Sequence, residues 1–171
     1  MSPASPNPFD AWLKDTLAPV LRGRGFRGGP RSYWRRTGDV YSTIQFQASM
    51  ASRSGWTPFV INYGIRHDGV ARVLGVTRSS PRTFSGSHFG CSARCSPREQ
   101  WWVFSGEDTS DTVLSSVQRT LADEVIPWLD EFGNADGYRR HVESLPPVVG
   151  QQAAMFLRAL EQLEVADVAP G

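Results

Sequence analysis

Two stretches of alternating residues organise this chain. From Val40 on, Val40, Ser42, Ile44, Phe46, Ala48 and Met50 fall on one face, and Tyr41, Thr43, Gln45, Gln47 and Ser49 on the other. Successive side chains leave a strand on opposite faces, so a period of two over this length predicts a half-buried β-strand. After a polar break holding Gly55, Phe59, Ile61, Tyr63 and Ile65 alternate with Val60, Asn62, Gly64 and Arg66, which predicts a second strand. Ahead of both, residues 32–36 predict a short strand carrying Tyr33 and Trp34, turned back by Thr37-Gly38-Asp39. His67-Asp68-Gly69 reads as a turn, the β-branched residues 70–77 as a further strand, and the apolar run 101–104 as the last. Between these last two, residues 78–98 are rich in Ser, Arg, Gly and Pro and predict a long loop.

The period changes to that of a helix at both ends of the chain. Asn7 followed by Pro8 reads as an N-cap and first turn, and Phe9, Trp12, Leu13, Leu17, Val20 and Leu21 form an apolar stripe that Gly23 or Gly25 closes. Pro19 should kink its last turn. Past an acidic, Ser/Thr-rich start at 107–111, Val113, Val117, Leu121, Val125, Leu129 and Phe132 line a second stripe, interrupted at Pro127 and closed by Gly133. Residues 138–145 and 151–163 predict two more helices, divided by Pro146-Pro147. Helix, strands, then helices is the order of an α+β fold. The expected architecture is an antiparallel sheet of four to five strands with the N-terminal and C-terminal helices packed on one face.

Composition narrows the class. With 171 residues, 40% of them apolar, and no internal repeat or linker, one domain is expected over residues 1–171, with residues 1–6 frayed. No apolar run approaches the length of a membrane span, the first ten residues lack the features of a secretory signal, and two cysteines are too few for a disulfide framework. A cytoplasmic protein with no membrane partner is expected. The net charge of +1 conceals a polarity: residues 1–105 carry fourteen Arg/Lys against five Asp/Glu, and residues 106–171 four against twelve. Such a division either holds the helical part against the sheet or marks a face for a partner.

Several local groupings bear on chemistry. Arg22, Arg24, Arg27, Arg31, Arg35 and Arg36 cluster around Phe26, Tyr33 and Trp34. Arginine forks match carboxylates and phosphates, and rings can stack on bases, so a protein partner or a nucleic acid would suit this surface. The plain alternative is a solvated edge whose charges deter strand pairing. Arg24, Arg27, Arg31, Arg35, Arg36 and Trp34 are the candidate partner-binding residues. His88-x-x-Cys91-x-x-x-Cys95 brings soft ligands together, but a single cluster without paired short spacings does not predict a metal site. Cys91 among arginines would favour a thiolate, yet nothing places His67, His88 or His141 beside it. An aromatic ligand pocket drawing on Tyr63, Trp102, His67 and His88 near the 78–98 loop is a second candidate. No catalytic residue and no cofactor are assigned.

Leu21 with Gly25-Phe26, Trp34-x-Arg36, Phe46-Gln47-x-Ser49 and Phe59-x-x-Asn62-x-Gly64-Ile65 follow one another in a recognisable order. Together with Trp101 and Ile126-Pro127-x-Leu129, they resemble an uncharacterised bacterial family, domain of unknown function 4304, over most of residues 9–145. The resemblance implies a compact α+β domain and no established activity, similar in size and style to small bacterial toxin-immunity and accessory proteins. The function expected is therefore a small non-enzymatic binding protein, of immunity or accessory type, that recognises another protein. A small-molecule binding or modifying protein comes next, and a nucleic-acid binder through the arginine-rich region third.

Overall fold

The computed structural model describes residues 7–53, 55–76, 79–92 and 101–168. Helix α1 (Pro8–Thr16) starts where the Asn7 side chain accepts the Phe9 N–H at 2.9 Å. Pro19, which has no N–H to offer the preceding turn, separates it from α2 (Ala18–Gly23). Gly25, at φ 81°, then turns the chain towards the sheet in a region that L side chains avoid.

The sheet has six strands and is antiparallel throughout: β1 (Arg27–Gly28), β2 (Ser32–Thr37), β3 (Val40–Ala48), β4 (Thr57–His67), β5 (Phe89–Ser92) and β6 (Trp102–Phe104). The order runs β1-β2-β3-β4-β5, and β6 pairs with the other end of β4. This is one strand more than the periodicity predicts. The added ones are the two-residue β1 and β5, the latter inside the stretch read as a loop.

Pairing of Ile44 with Tyr63 and Phe46 with Ile61 puts the expected apolar residues on one side, with Tyr33, Phe89 and Trp102 in line. Helices cover that side. Phe9 of α1 packs on Phe59 and Phe104. Helix α4 (Asp111–Thr120), a π turn (Leu121–Val125) and α5 (Ile126–Phe132) lie over the middle, where Trp128 meets the Tyr63 ring. Tyr138 of α6 (Ala135–Glu143) and Phe156 of α7 (Gly150–Val168) pack on Phe89. Ile44, Phe46, Ile61 and Ile65 are buried in the same cluster as Val117, Leu121 and Val125.

Two expectations fail here. Of the strand expected over 70–77, Thr77 lies outside the described residues and 70–76 are not a strand: helix α3 (Asp68–Val73) begins directly after β4, capped by the His67 ring, whose Nδ1 accepts the Val70 N–H at 3.3 Å. An available cap and Asp68 in the first turn outweigh the β-branched content. Nor are β3 and β4 half-buried. Tyr41, Thr43, Asn62 and Arg66, on the face away from the helices, are buried too. Residues 79–87, which hold a 3₁₀ turn (Phe84–Gly86), lie over Thr43 and Arg66 as a strap; Ser87 Oγ is 3.0 Å from Thr43 Oγ1. Gly64 permits this approach, since a Cβ there would lie 2.6 Å from Ser87 Oγ. No helix among the described residues is long and apolar enough to cross a membrane.

Candidate functional site

On the strap side of the sheet, β1, β2 and β3 form the floor of a concavity of about 320 Å³. The tight Thr37-Gly38-Asp39 turn fixes the register, setting Trp34 opposite Thr43 and Arg36 opposite Tyr41, while β1 sets Arg27 opposite Trp34. Strand alternation therefore points Arg27, Trp34, Arg36 and Tyr41 to the same side. Arg35, opposite Ser42 in the register, points to the other side and borders the concavity with its stem beside Gly25, and Arg82 comes from the strap. Three guanidinium groups, those of Arg27, Arg36 and Arg82, thus stand around two aromatic rings, and that of Arg35 turns away to Asp130 and Phe26.

These four arginines differ in what they already hold. Arg35 donates from Nη2 to Asp130 at 2.6 Å and from Nη1 to the Arg24 carbonyl at 3.3 Å, and lies over Phe26. Arg36 donates from Nε to the Gly38 carbonyl at 2.7 Å and from Nη2 to Asp39 at 3.0 Å, and lies over Tyr41. Arg27 and Arg82 have no acidic partner among the described residues. The Arg82 guanidinium lies 4.7 Å over the Trp34 ring. A guanidinium held over a ring still has N–H donors to offer, so Arg82 can make a forked contact with an oxyanion.

Of the arginines singled out in the sequence, Arg27, Arg35 and Arg36 line the concavity together with Trp34. Arg24 caps α2 outside it. Arg31 points to the helix side, paired with Asp10 and placed over Phe9. Gly25, Tyr41 and Arg82 also line the concavity and are not among those candidates. Tyr41 could have been, because a tight turn at 37–39 pairs it with Arg36. Arg82 carries no such signal, being 48 positions from Trp34 in sequence.

The second group of candidates lies between sheet and helices, where it is divided. Tyr63 donates its hydroxyl to Glu124 at 3.0 Å, and the Trp102 indole N–H donates to Ser116 at 3.1 Å. His67 and His88 meet through Tyr138: the His67 ring stands edge-on to it, and His88 Nδ1 is 2.7 Å from its hydroxyl. Burial lowers the pKa of His88 to about 4, with Arg66 and His67 adding to the effect, and raises that of the Tyr138 phenol. His141 joins this cluster against Phe89, Trp128 and Phe132, and burial lowers its pKa as well as that of His67. The His88 Nε2 is buried with no hydrogen-bond partner among the described residues. No group of three metal-ligating side chains occurs among the described residues. The Cys91 side chain and all of Cys95 lie outside them.

A family model described as "Domain of unknown function (DUF4304)" matches residues 17–131. No curated protein and no solved structure matches the chain.

Proposed function

The chain belongs to the DUF4304 family, whose description assigns no function, and we propose that it is a binding protein, of accessory or immunity type, which captures an acidic segment of another protein in the arginine-aromatic concavity. The observation that carries this reading is the pair Arg27 and Arg82, cations without acidic partners among the described residues, set beside two arginines that are already paired. A carboxylate entering there meets donors already oriented by Trp34 and by the strap. Single-stranded nucleic acid is favoured less, because Arg82 occupies a face of Trp34 on which a base would stack.

The test is fluorescence anisotropy with a labelled poly-glutamate peptide, titrated into the protein and into the double variant Arg27→Ser/Arg82→Ser. A charge-assisted hydrogen bond contributes about 1.5–3 kcal/mol, and about 1.4 kcal/mol is tenfold in affinity, so binding should weaken at least tenfold. The thermal midpoint should move by no more than about 2 °C, since neither side chain is ion-paired. Unchanged affinity, or an equal loss in Arg22→Ser/Arg24→Ser, overturns the proposal. Tighter binding of a short poly-thymidine strand than of the peptide transfers the site to nucleic acid.

A further inference from the structure

Arg82 belongs to no strand or helix, and its placement over Trp34 needs a cause. That cause lies beneath the strap. Arg66 of β4 is 3% exposed and faces the strap side, next to Tyr41 in the register. Its Nη1 donates to the Ser79 carbonyl at 3.1 Å and to the Gly86 carbonyl at 3.2 Å, and its Nη2 to the Val76 carbonyl at 3.2 Å. Asp68 is 3.7 Å from Nη2, at the margin of an ion pair. A buried guanidinium is unfavourable unless its donors are satisfied; here Nη1 and Nη2 are satisfied mainly by carbonyls of one segment, and Nε is buried without a partner among the described residues. Two of them, at 79 and 86, bracket Arg82.

Inside that bracket the chain is folded tightly. A Cβ at Gly86 would lie 2.0 Å from the Ser80 carbonyl oxygen, so the two limbs of the loop close only with glycine there. The same Ser80 carbonyl accepts the Thr83 hydroxyl at 3.0 Å. Phe84 sits against Gly90, and the Ser32 hydroxyl donates to the Arg82 carbonyl at 3.4 Å. The backbone of Arg82 is thereby held from both ends and from the sheet edge, while its guanidinium makes no ion pair among the described residues. We infer that Arg66 is a positioning residue for the anion site: it ties the 79–87 strap to the sheet and so places Arg82 over Trp34, without itself touching the ligand. This role rests on the reading of the concavity given above.

A lysine cannot replace it, because one ammonium does not span three carbonyls as a planar fork does. The experiment combines amide hydrogen exchange with binding of the labelled poly-glutamate peptide, on Arg66→Lys, Arg82→Ser and the double variant. The expected result is faster exchange across 79–87 in Arg66→Lys, with β2, β3 and the apolar part of β4 still protected. Peptide affinity should fall about as far as in Arg82→Ser, about tenfold, with little further loss in the double variant. Should Arg66→Lys fail to fold, Gly86→Ala disturbs the strap from above and carries the same expectations. Unchanged strap exchange overturns the role of Arg66, as does faster exchange with full affinity or a double variant whose losses multiply. If Arg82→Ser itself binds the peptide normally, the anion-site reading falls, and this role of Arg66 falls with it. The exchange data would still report whether Arg66 holds the strap.

Discussion

His88 shows how a single buried group can couple the stability of this protein to pH. Its ring is enclosed by Tyr138, Phe89 and Phe156, with one nitrogen paired to a phenol and the other to nothing among the described residues. The imidazole is held neutral, its pKa lowered to about 4 from an ordinary 6.5. Between these values the unfolded chain binds the proton and the folded chain does not, so protonation favours unfolding. The stability contributed is complete above pH 6.5 and is lost as pH falls towards 4, and His67 and His141, also lowered, act with the same sign. Urea midpoints should therefore decline from pH 7 to pH 5. Replacing His88 with Gln should flatten that decline, with at most about 3 kcal/mol at stake. A variant as pH-sensitive as the parent would place the titrating group elsewhere.

At the scale of elements, the region around Pro127 explains a feature that the stripe only half predicted. Val117, Leu121, Val125 and Leu129 are spaced by four, and on a helix of 3.6 residues per turn such a stripe drifts by about 40° at each step. The π turn at Leu121–Val125 takes more residues per turn and rotates the stripe back onto the sheet, so that Leu121, Val125 and Leu129 are all buried. The expected cause of that turn is packing and not the proline. Pro127→Ala should leave the far-ultraviolet circular dichroism unchanged and shift stability by no more than about 1 kcal/mol. A larger effect would make Pro127 the cause. Elements carrying a clear period were legible in the sequence: both long strands, the leading helix with its Asn7 cap, and the burial of Phe46 and Ile61. The strand expected at 70–77 failed because its composition says nothing of the His67 ring that caps α3. The strap failed for another reason. Its order comes from Arg66, Thr43 and Gly64, contacts distant along the chain that leave no period behind. For the same reason the arginine cluster could be read up to Arg36, but not as far as Arg82.

For the whole molecule, the division of charge along the sequence becomes a division in space. Arg27, Arg36 and Arg82 lie on the strap side of the sheet, while Asp123, Asp130, Glu131, Asp136, Glu143, Glu161 and Glu164 are exposed on the helical layer. The charge does not serve to clamp the two layers together. Among ion pairs of the described residues, Arg35 with Asp130 alone joins the basic part of the chain to the acidic part. Stability should thus respond little to salt, with the thermal midpoint moving by no more than about 2 °C between about 50 and 500 mM. Affinity for the poly-glutamate probe should fall steeply over the same range. A midpoint that drops in step with affinity would return the charge to a structural role.

Exposed carboxylates on α5, α6 and α7 and the arginines of the concavity across the sheet also give the molecule an electric asymmetry. In the field of an acidic partner it experiences a torque as well as an attraction, and turns its strap side forward before contact. Fewer collisions are then wasted on the wrong face. On the proposed function, the asymmetry would act on how quickly the two find each other, while the hold once made would rest on Arg27 and Arg82.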